Sequence, residues 1–331
     1  MSELRLTLAI GDYLHTQELA RGRVKPVGID LNVLNVPFET GVMRFTHTYE
    51  YDVSEISLAN YCAIVARAEE APVVGLPVFP SRVFRHSAVY INRNAGIKSL
   101  ADLRGRKVGI PQWSQTALVY VRGELVHGAG VPLESVEWYQ AGVDEPGRRE
   151  SVKIDLPQGV TCTSLPEKTL SGMLETGEVD AIISARPPAS FLRGAESVDR
   201  LFPDYRQVEE QYFRTTGIFP IMHMVAIRRD VYEKNRWMVR TLFDAFDQAR
   251  SIAIQRLTNV QFSHIPTLWG ADDALRARRQ FPSEDLFPYG IERNRATLEP
   301  FLRYCFEQGV TSRALSVEEL FAPEIRFELK V

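Results

Sequence analysis

The sequence predicts an α/β protein built as two lobes. Strand-like and helix-like segments alternate along most of its 331 residues, and this alternation is typical of α/β architecture. The segments fall into two separate strand–helix series, and a chain of this length suits two domains of ordinary size. A late apolar strand pattern at 221–227, followed by long amphipathic helices, indicates that the C-terminal part returns to the first lobe. We therefore expect lobe one at 1–90 and 219–331, and lobe two at 91–218.

The first series contains four strand patterns and three helix patterns. The strands are expected at Leu4–Ile10, Asp30–Val36, Asp52–Ser57 and Val73–Phe79, and the helices at Tyr13–Ala20, Val42–Tyr49 and Leu58–Ala68. Asp12 is a plausible N-cap of the first helix, and Gly22 follows the end of that helix.

The second series begins after a crossover near residues 87–93. Strands are expected at Ala88–Asn92, Lys107–Ile110, Val136–Tyr139 and Val179–Ser184, with a short helix capped by Ser99 and helices at Ser114–His127 and Lys168–Thr176. Residues 142–158 are rich in charge, Gly and Pro and are expected to form a surface excursion, and Pro187-Pro188 starts a helix or turn. The chain returns near 217–226, and the last helices are expected at about Arg236–Leu257, Ile265–Gln280 and Arg293–Gln308.

Composition and missing motifs exclude several classes of function. The net charge of −3 and the absence of a basic block argue against a nucleic-acid partner, and no apolar run is long enough for a membrane helix. The sequence has no Gly-x-Gly-x-x-Gly, P-loop, His-Glu-x-x-His or Gly-x-Ser-x-Gly motif, so we expect no cofactor and no metal. Three scattered cysteines and the lack of a secretory signal pattern indicate a cytoplasmic protein. A homo-oligomer is left open.

The segment Phe79–His86 is the strongest functional signal in the sequence. Arg82, Arg85 and His86 follow an apolar run that has the pattern of a buried strand. A guanidinium grips a carboxylate through two hydrogen bonds, and an imidazole exchanges protons near neutral pH. These residues indicate a pocket for a small carboxylated ligand. The structural alternative is a strand end whose arginines pair with Asp or Glu of the protein.

Other polar residues follow predicted strands and could converge at one cleft. Each also has a structural alternative, as a helix cap, part of a solvated loop or, for His223, a satisfied core histidine. The candidates are Asp12, Ser57, Ser81, Gln112, Trp113, Ser114, Thr116, Glu145, Arg148, Arg186 and His223. The loop at 111–116 leads into a helix, and its backbone amides would suit a carboxylate.

Six short segments together resemble the 4,5-dihydroxyphthalate decarboxylase family. They are Gly11–Tyr13 (GDY), Phe79–His86 (FPSRVFRH), Leu201–Tyr205 (LFPDY), Gly217–His223 (GIFPIMH), Tyr289–Asn294 (YGIERN) and Glu318–Pro323 (EELFAP). The resemblance extends in order over nearly the whole chain. It implies a fold similar to that of type 2 periplasmic binding proteins, in agreement with the two lobes. It also implies removal of one carboxylate from 4,5-dihydroxyphthalate, giving protocatechuate and carbon dioxide.

The implied reaction assigns tasks to the candidate residues. Arg82, Arg85, Arg148 or Arg186 would hold the two carboxylates, and His86 or His223 would give a proton to the ring carbon. We prefer His86, because its arginine neighbours would bring the departing carboxylate beside it. Asp12 or Glu145 would accept a hydrogen bond from a ring hydroxyl. The alternative function is that of a solute-binding protein for a small aromatic carboxylate, without catalysis.

Overall fold

The computed structural model describes residues 3–280 and 285–325. The strands are β1 (Leu4–Ile10), β2 (Ile29–Asn35), β3 (Val53–Ser57), β4 (Val73–Arg82), β5 (Val89–Asn92), β6 (Lys107–Ile110), β7 (Glu137–Gly142), β8 (Cys162–Thr169), β9 (Ala181–Ile183), β10 (Val198–Arg200) and β11 (Ile221–Arg228). The helices are α1 (Gln17–Ala20), α2 (Phe38–Thr48), α3 (Leu58–Arg67), α4 (Thr116–His127), α5 (Leu170–Thr176), α6 (Ala189–Leu192), α7 (Tyr205–Thr216), α8 (Arg229–Lys234), α9 (Met238–Leu257), α10 (Gly270–Arg278) and α11 (Arg295–Glu307).

The strands form two sheets, and each sheet defines one lobe. The lobe-one sheet has the order β2-β1-β3-β11-β4, and the lobe-two sheet has the order β10-β5-β9-β6-β7-β8. The chain leaves lobe one between β4 and β5 and returns between α7 and β11, so the late strand pairs with β3 and β4. This arrangement confirms the predicted two-lobed α/β fold. The domain boundaries at residues 90 and 218 stay a prediction.

The C-terminal residues pack against lobe one through β4. The carbonyl of Leu320 accepts a hydrogen bond from the Tyr61 hydroxyl at 2.6 Å, and Phe321 forms a bridge with Gly75 of β4. A Cβ atom at position 75 would collide with the Leu320 carbonyl, so only glycine allows this approach. Helix α9 also packs on β4, which keeps this edge strand almost wholly buried.

Several sequence predictions need correction. Asp12 is not the N-cap of the first helix, because α1 begins only at Gln17 and Thr16 precedes it. The intervening residues form a turn in which the Thr16 backbone amide and side chain both bond to the Tyr13 carbonyl. The strands β8 and β10 and the helix α7 were not predicted. Ser99, by contrast, caps the short helix at Leu100–Leu103 through a capping box, as expected.

Neither a membrane-spanning helix nor a metal-binding cluster is found in the part of the chain that the structure describes. Among residues 3–280 and 285–325, no helix has both the length and the apolar composition needed to cross a membrane. Over the same ranges, no group of three or more His, Cys, Asp or Glu side chains is placed to hold a metal ion.

Candidate active site

The carboxyl ends of several strands meet where the two lobes face each other. Strands β1 and β3 run parallel, and β11 runs antiparallel between β3 and β4, so the start of β11 lies beside the ends of its neighbours. His223 of β11 therefore lies opposite Ser57 of β3 on one side and Ser81 of β4 on the other. The Ser57 hydroxyl bonds to the Thr116 hydroxyl of lobe two at 2.8 Å. This contact joins the two lobes next to the histidine.

A buried carboxylate holds the ring of His223. Nδ1 of His223 lies 2.6 Å from Oε1 of Glu55, which is almost fully buried in the middle of β3. The Tyr13 hydroxyl donates to the same oxygen at 2.5 Å, and the backbone amide of Gly11 donates to Oε2 at 2.9 Å. Among the described residues, Nε2 of His223 has no hydrogen-bond partner. Nε2 is thus the nitrogen left for a ligand.

The short loop after β1 brings two donors to Glu55. A Cβ atom at Gly11 would lie 2.8 Å from the Tyr13 ring and 3.3 Å from Oε2 of Glu55. Glycine therefore lets the backbone and the phenol approach the carboxylate together. The adjacent Asp12 has an exposed side chain at the same edge of the lobe.

The hydrogen bonds and the burial of this cluster determine the protonation states of Glu55 and Tyr13. Burial acts to raise the pKa of Glu55, but the hydrogen bonds from His223 and Tyr13 and the charge of His223 outweigh burial and hold it below its usual value. Burial, together with the charge and hydrogen bond of Glu55, raises the pKa of Tyr13 well above its usual range. Glu55 is consequently an anion near neutral pH, and Tyr13 is a neutral donor.

The first turn of α2 covers the histidine. The Phe38 ring stacks on the His223 ring at 3.6 Å between centroids, with the planes 5° apart. The next side chain, Glu39, lies 3.6 Å from Arg148 and 3.7 Å from Arg186, both of lobe two. An aromatic ring and a carboxylate from one helical turn thus contact a histidine and two arginines.

Loop 111–116 of lobe two is occupied by side chains of the protein itself. Gln112 accepts a hydrogen bond from Arg148 at 2.8 Å, and the Trp113 indole is buried, donating to the Gln308 carbonyl at 2.8 Å. The Ser114 hydroxyl donates to Glu150 at 2.8 Å. The predicted carboxylate contact of this loop is therefore made by Glu150.

The two arginines of Phe79–His86 contact groups other than Glu55 and His223. Arg82 is buried on lobe one, where it donates to Asn294 and packs against aromatic rings, the nearest being Phe219 at 4.8 Å. The pairing of β4 with β11 is irregular here, with Arg82 opposite Ile221 and Ser81 opposite His223, so the two neighbouring side chains have different surroundings. Arg85 is partly buried and donates to the Met222 sulfur at 3.2 Å. Burial lowers the pKa of Arg82 to about 9 and that of Arg85 to about 10.

His86 also contacts a different part of the molecule. It is buried, and its Nε2 lies 2.8 Å from a carboxylate oxygen of Glu124 on α4. Its Nδ1 lies 3.9 Å from Glu209 of α7, and its ring packs against Tyr212. His86 and His223 therefore each have a glutamate partner, but their partners and surroundings differ.

The sequence prediction missed the acidic residue at the centre of the cluster. Glu55 lies inside a strand that was predicted correctly, and a charged residue between Ser54 and Ile56 in the middle of that strand was the available signal. Phe38 and Glu39 were missed because they precede the predicted start of their helix. Glu145 lies exposed on the loop after β7, and the roles proposed for it and for Asp12 stay predictions.

A separate groove of about 740 Å³ lies between α4, α7 and α11. Its walls include Glu124, Tyr212, Arg303 and Tyr304, and neither Glu55 nor His223 contributes to it. The facing edges of the lobes carry the hydrogen-bonded acid–base pair and the paired arginines. For this chemical reason we take those edges as the candidate active site.

The fold is similar to that of solved periplasmic-binding-protein-like structures. The chain superimposes on the periplasmic aliphatic sulphonate binding protein SsuA from Escherichia coli with a TM-score of 0.53 and 14% identity, covering 99% of this chain and 100% of that one. It also superimposes on the desulfurization enzyme DSZB with a TM-score of 0.55 and 16% identity, covering 97% and 98% of the two chains. At these identities the likeness shows the fold alone.

Curated relatives identify the family within this fold class. A 4,5-dihydroxyphthalate decarboxylase from Comamonas testosteroni is 35% identical over 324 residues, which are 98% of each chain. A protein of the same name from Pseudomonas putida is 38% identical over 216 residues, covering 65% of this chain and 83% of that one. No family profile matches the chain. The chain belongs to the 4,5-dihydroxyphthalate decarboxylase family.

Proposed function

We propose that this protein is a cofactor-independent carboxy-lyase that converts 4,5-dihydroxyphthalate to protocatechuate and carbon dioxide. The names of its two curated relatives support the substrate, and the Glu55–His223 pair supports the chemistry. The hydrogen bond between this carboxylate and this imidazole is the observation that carries the proposal.

His223 is the proposed general acid. The ionised Glu55 orients the imidazole through Nδ1, as the carboxylate of a catalytic triad orients its histidine. Because Glu55 holds Nδ1, the proton is delivered from Nε2 to the ring carbon that bears the departing carboxylate. The choice of His223 over His86 rests on the surroundings, since His223 lies beside Tyr13, Ser57 and Ser81 at the facing edges of the lobes.

The reaction needs one proton and releases one molecule of carbon dioxide. Each carboxylate of the substrate has a hydroxyl para to it, and polarising that hydroxyl raises electron density at the carbon to be protonated. Protonation forms a C–H bond there, and the C–C bond to the carboxylate then breaks. The electron pair of that bond returns to the ring and restores aromaticity. Asp12 and Glu145, both exposed, are the proposed acceptors for the hydroxyl hydrogen bond.

The first turn of α2 indicates how the substrate would lie. The substrate joins an aromatic ring to carboxylates, and Phe38 and Glu39 present these same two groups to His223, Arg148 and Arg186. We infer that the substrate displaces Phe38 and lies with the face of its ring toward Nε2 of His223, and that its carboxylates replace Glu39 between the arginines. Exposed ion pairs of this kind are worth about 0–1 kcal/mol, so displacing Glu39 costs little.

Location and self-association belong to the same proposal. The three cysteines, Cys62, Cys162 and Cys305, are free thiols, which suits a reducing cytoplasm. A small aromatic carboxylate is the proposed partner. Homo-oligomerisation stays a prediction that sedimentation analysis can test.

The direct test follows 4,5-dihydroxyphthalate by its ultraviolet spectrum in the presence of the purified protein. We expect protocatechuate to appear and, in deuterium oxide, to carry deuterium at the vacated ring position. His223→Asn should abolish most of this turnover while leaving the fold intact by circular dichroism. Saturable binding without turnover by the wild-type protein would instead establish the alternative function, that of a solute-binding protein.

A further inference from the structure

The carboxylate of Glu150 is held by four donors of lobe two. It accepts hydrogen bonds from the backbone amide of Trp113, from the amide of Ser114 at 3.2 Å and from the Ser114 hydroxyl at 2.8 Å. The side-chain amide of Gln140 donates to it at 3.0 Å. Ser114 is fully buried. The three donors of Trp113 and Ser114 lie just before α4, where a carboxylated ligand was expected from the sequence, and Gln140 lies on β7.

Glu150 belongs to a long irregular segment that these hydrogen bonds fix in place. Residues 143–161 connect β7 to β8 as bends, turns and irregular backbone. Three consecutive residues of the segment contact loop 112–114: Arg148 donates to Gln112 at 2.8 Å, the Arg149 carbonyl accepts from Gln112, and Glu150 binds Trp113 and Ser114. The position of Arg148 at the active site therefore depends on a segment anchored at Glu150.

We propose that Glu150 is a positioning residue for the substrate-binding arginine. Its carboxylate fills the anion-binding donors at Trp113 and Ser114, so the substrate's carboxylates bind to Arg148 and Arg186 instead. This inference rests on the proposed function, because it concerns how the aromatic dicarboxylate is held.

Glu150 is held by more hydrogen bonds than Arg148. A carboxylate bound by several donors makes charge-assisted hydrogen bonds, which are about twice as strong as neutral ones. Among the described residues, the polar contacts of Arg148 are the hydrogen bond to Gln112 and the longer ion pair with the exposed Glu39. Without Glu150, Arg148 would have to be ordered during binding, and the affinity for the ligand would fall.

The test measures binding of phthalate by calorimetry, because phthalate has both carboxylates but lacks the hydroxyls that the reaction needs. Glu150→Ala should weaken binding about tenfold or more, as expected for the loss of charged hydrogen bonds. Arg148→Ala should do the same, and the double variant should bind no more weakly than Arg148→Ala alone. Glu167→Gln, at an exposed glutamate of β8, is the matched control and should bind like the wild type.

Chemical rescue gives a readout that a merely structural role would not change. Formate can enter the space vacated in Glu150→Ala and accept the same hydrogen bonds, so added formate should restore part of the phthalate affinity. Formate should not strengthen binding by the Glu167→Gln protein. If Glu150→Ala does not fold, Glu150→Gln keeps the size of the side chain, and its weaker anchoring should still lower the affinity.

The outcomes separate this inference from the proposed function. Wild-type affinity in both Glu150 variants would overturn the inference, and so would additive losses in the double variant. Either result could be found together with normal turnover of 4,5-dihydroxyphthalate, which would leave the proposed function standing. A wild-type protein that neither turns over 4,5-dihydroxyphthalate nor binds phthalate would instead remove the proposed function.

Discussion

Replacing Glu55 with Gln should slow decarboxylation strongly while preserving the shape of the side chain. Oε1 of Glu55 lies 2.6 Å from Nδ1 of His223, and Glu55 is almost fully buried whereas His223 is about one-fifth exposed. Two unit charges about 4 Å apart near a protein surface attract each other by about 4 kcal/mol. Because solvent partly screens this pair, we take about half of that value as the lower limit of the interaction energy. Losing about 2–4 kcal/mol of the interaction that orients Nε2 of His223 toward the substrate corresponds to a fall in kcat of about 30- to 1,000-fold.

The assay is steady-state turnover of 4,5-dihydroxyphthalate, with unfolding followed by circular dichroism. The matched control is Glu124→Gln, which makes the same substitution in the other His–Glu pair, where the atoms of His86 and Glu124 are 2.8 Å apart. We expect kcat of the control to stay close to that of the wild type. If the two variants have the same kcat and both are folded, the assignment of Glu55 and His223 is refuted.

Four further outcomes follow from the same geometry. Removing Arg148 or Arg186 by alanine should weaken phthalate binding about tenfold or more in calorimetry, with little change in thermal stability, because each would lose a charged contact to the ligand. Glu39→Gln should strengthen phthalate binding by up to about fivefold, because it removes a competing carboxylate held by weak, exposed ion pairs; unchanged or weaker binding would contradict the proposed pose. Tyr13→Phe should lower kcat about tenfold, less than Glu55→Gln, because Glu55 loses one of its donors. Since the pKa of Glu55 is below its ordinary value of 4.5 when folded, its stabilising contribution is present above that pH and is lost as the pH falls through the folded value. The difference in unfolding free energy between wild type and Glu55→Gln should therefore shrink below about pH 4.5 in urea titrations, and a constant difference would contradict this.

The parts of the fold that were predicted are those with a strong local pattern. Strands β1, β3, β4 and β11 have buried apolar runs, and the structure places them within a few residues of the predicted bounds. Strand β8 was missed because its sequence CTSLPEKT is polar and largely exposed, and it is held by pairing with β7. Helix α7 was missed for a related reason, since Phe213 is its one buried residue.

The site was predicted in part, for reasons that lie in strand geometry. Residues at the ends of strands, such as Ser57, Ser81 and His223, could be expected to meet because neighbouring strands end at one edge. The direction of each side chain could not be inferred in the same way. Arg82 follows Ser81, but the pairing with β11 is irregular between them and Arg82 packs against Phe219; His86 lies beyond the strand against α4 and α7. The sequence also could not show that Glu150 would take the donors of loop 111–116.

The central claim is that His223, held by Glu55, gives the proton to the ring carbon. The most direct measurement is the single-turnover rate of decarboxylation in deuterium oxide for His223→Asn and His86→Asn, with deuterium followed at the vacated ring position. A general acid contributes about 10²- to 10⁴-fold to rate, so His223→Asn should lose about this factor while binding phthalate normally. His86→Asn should retain a rate close to that of the wild type. The opposite pattern, with a slow His86 variant and a normal His223 variant, would contradict the assignment.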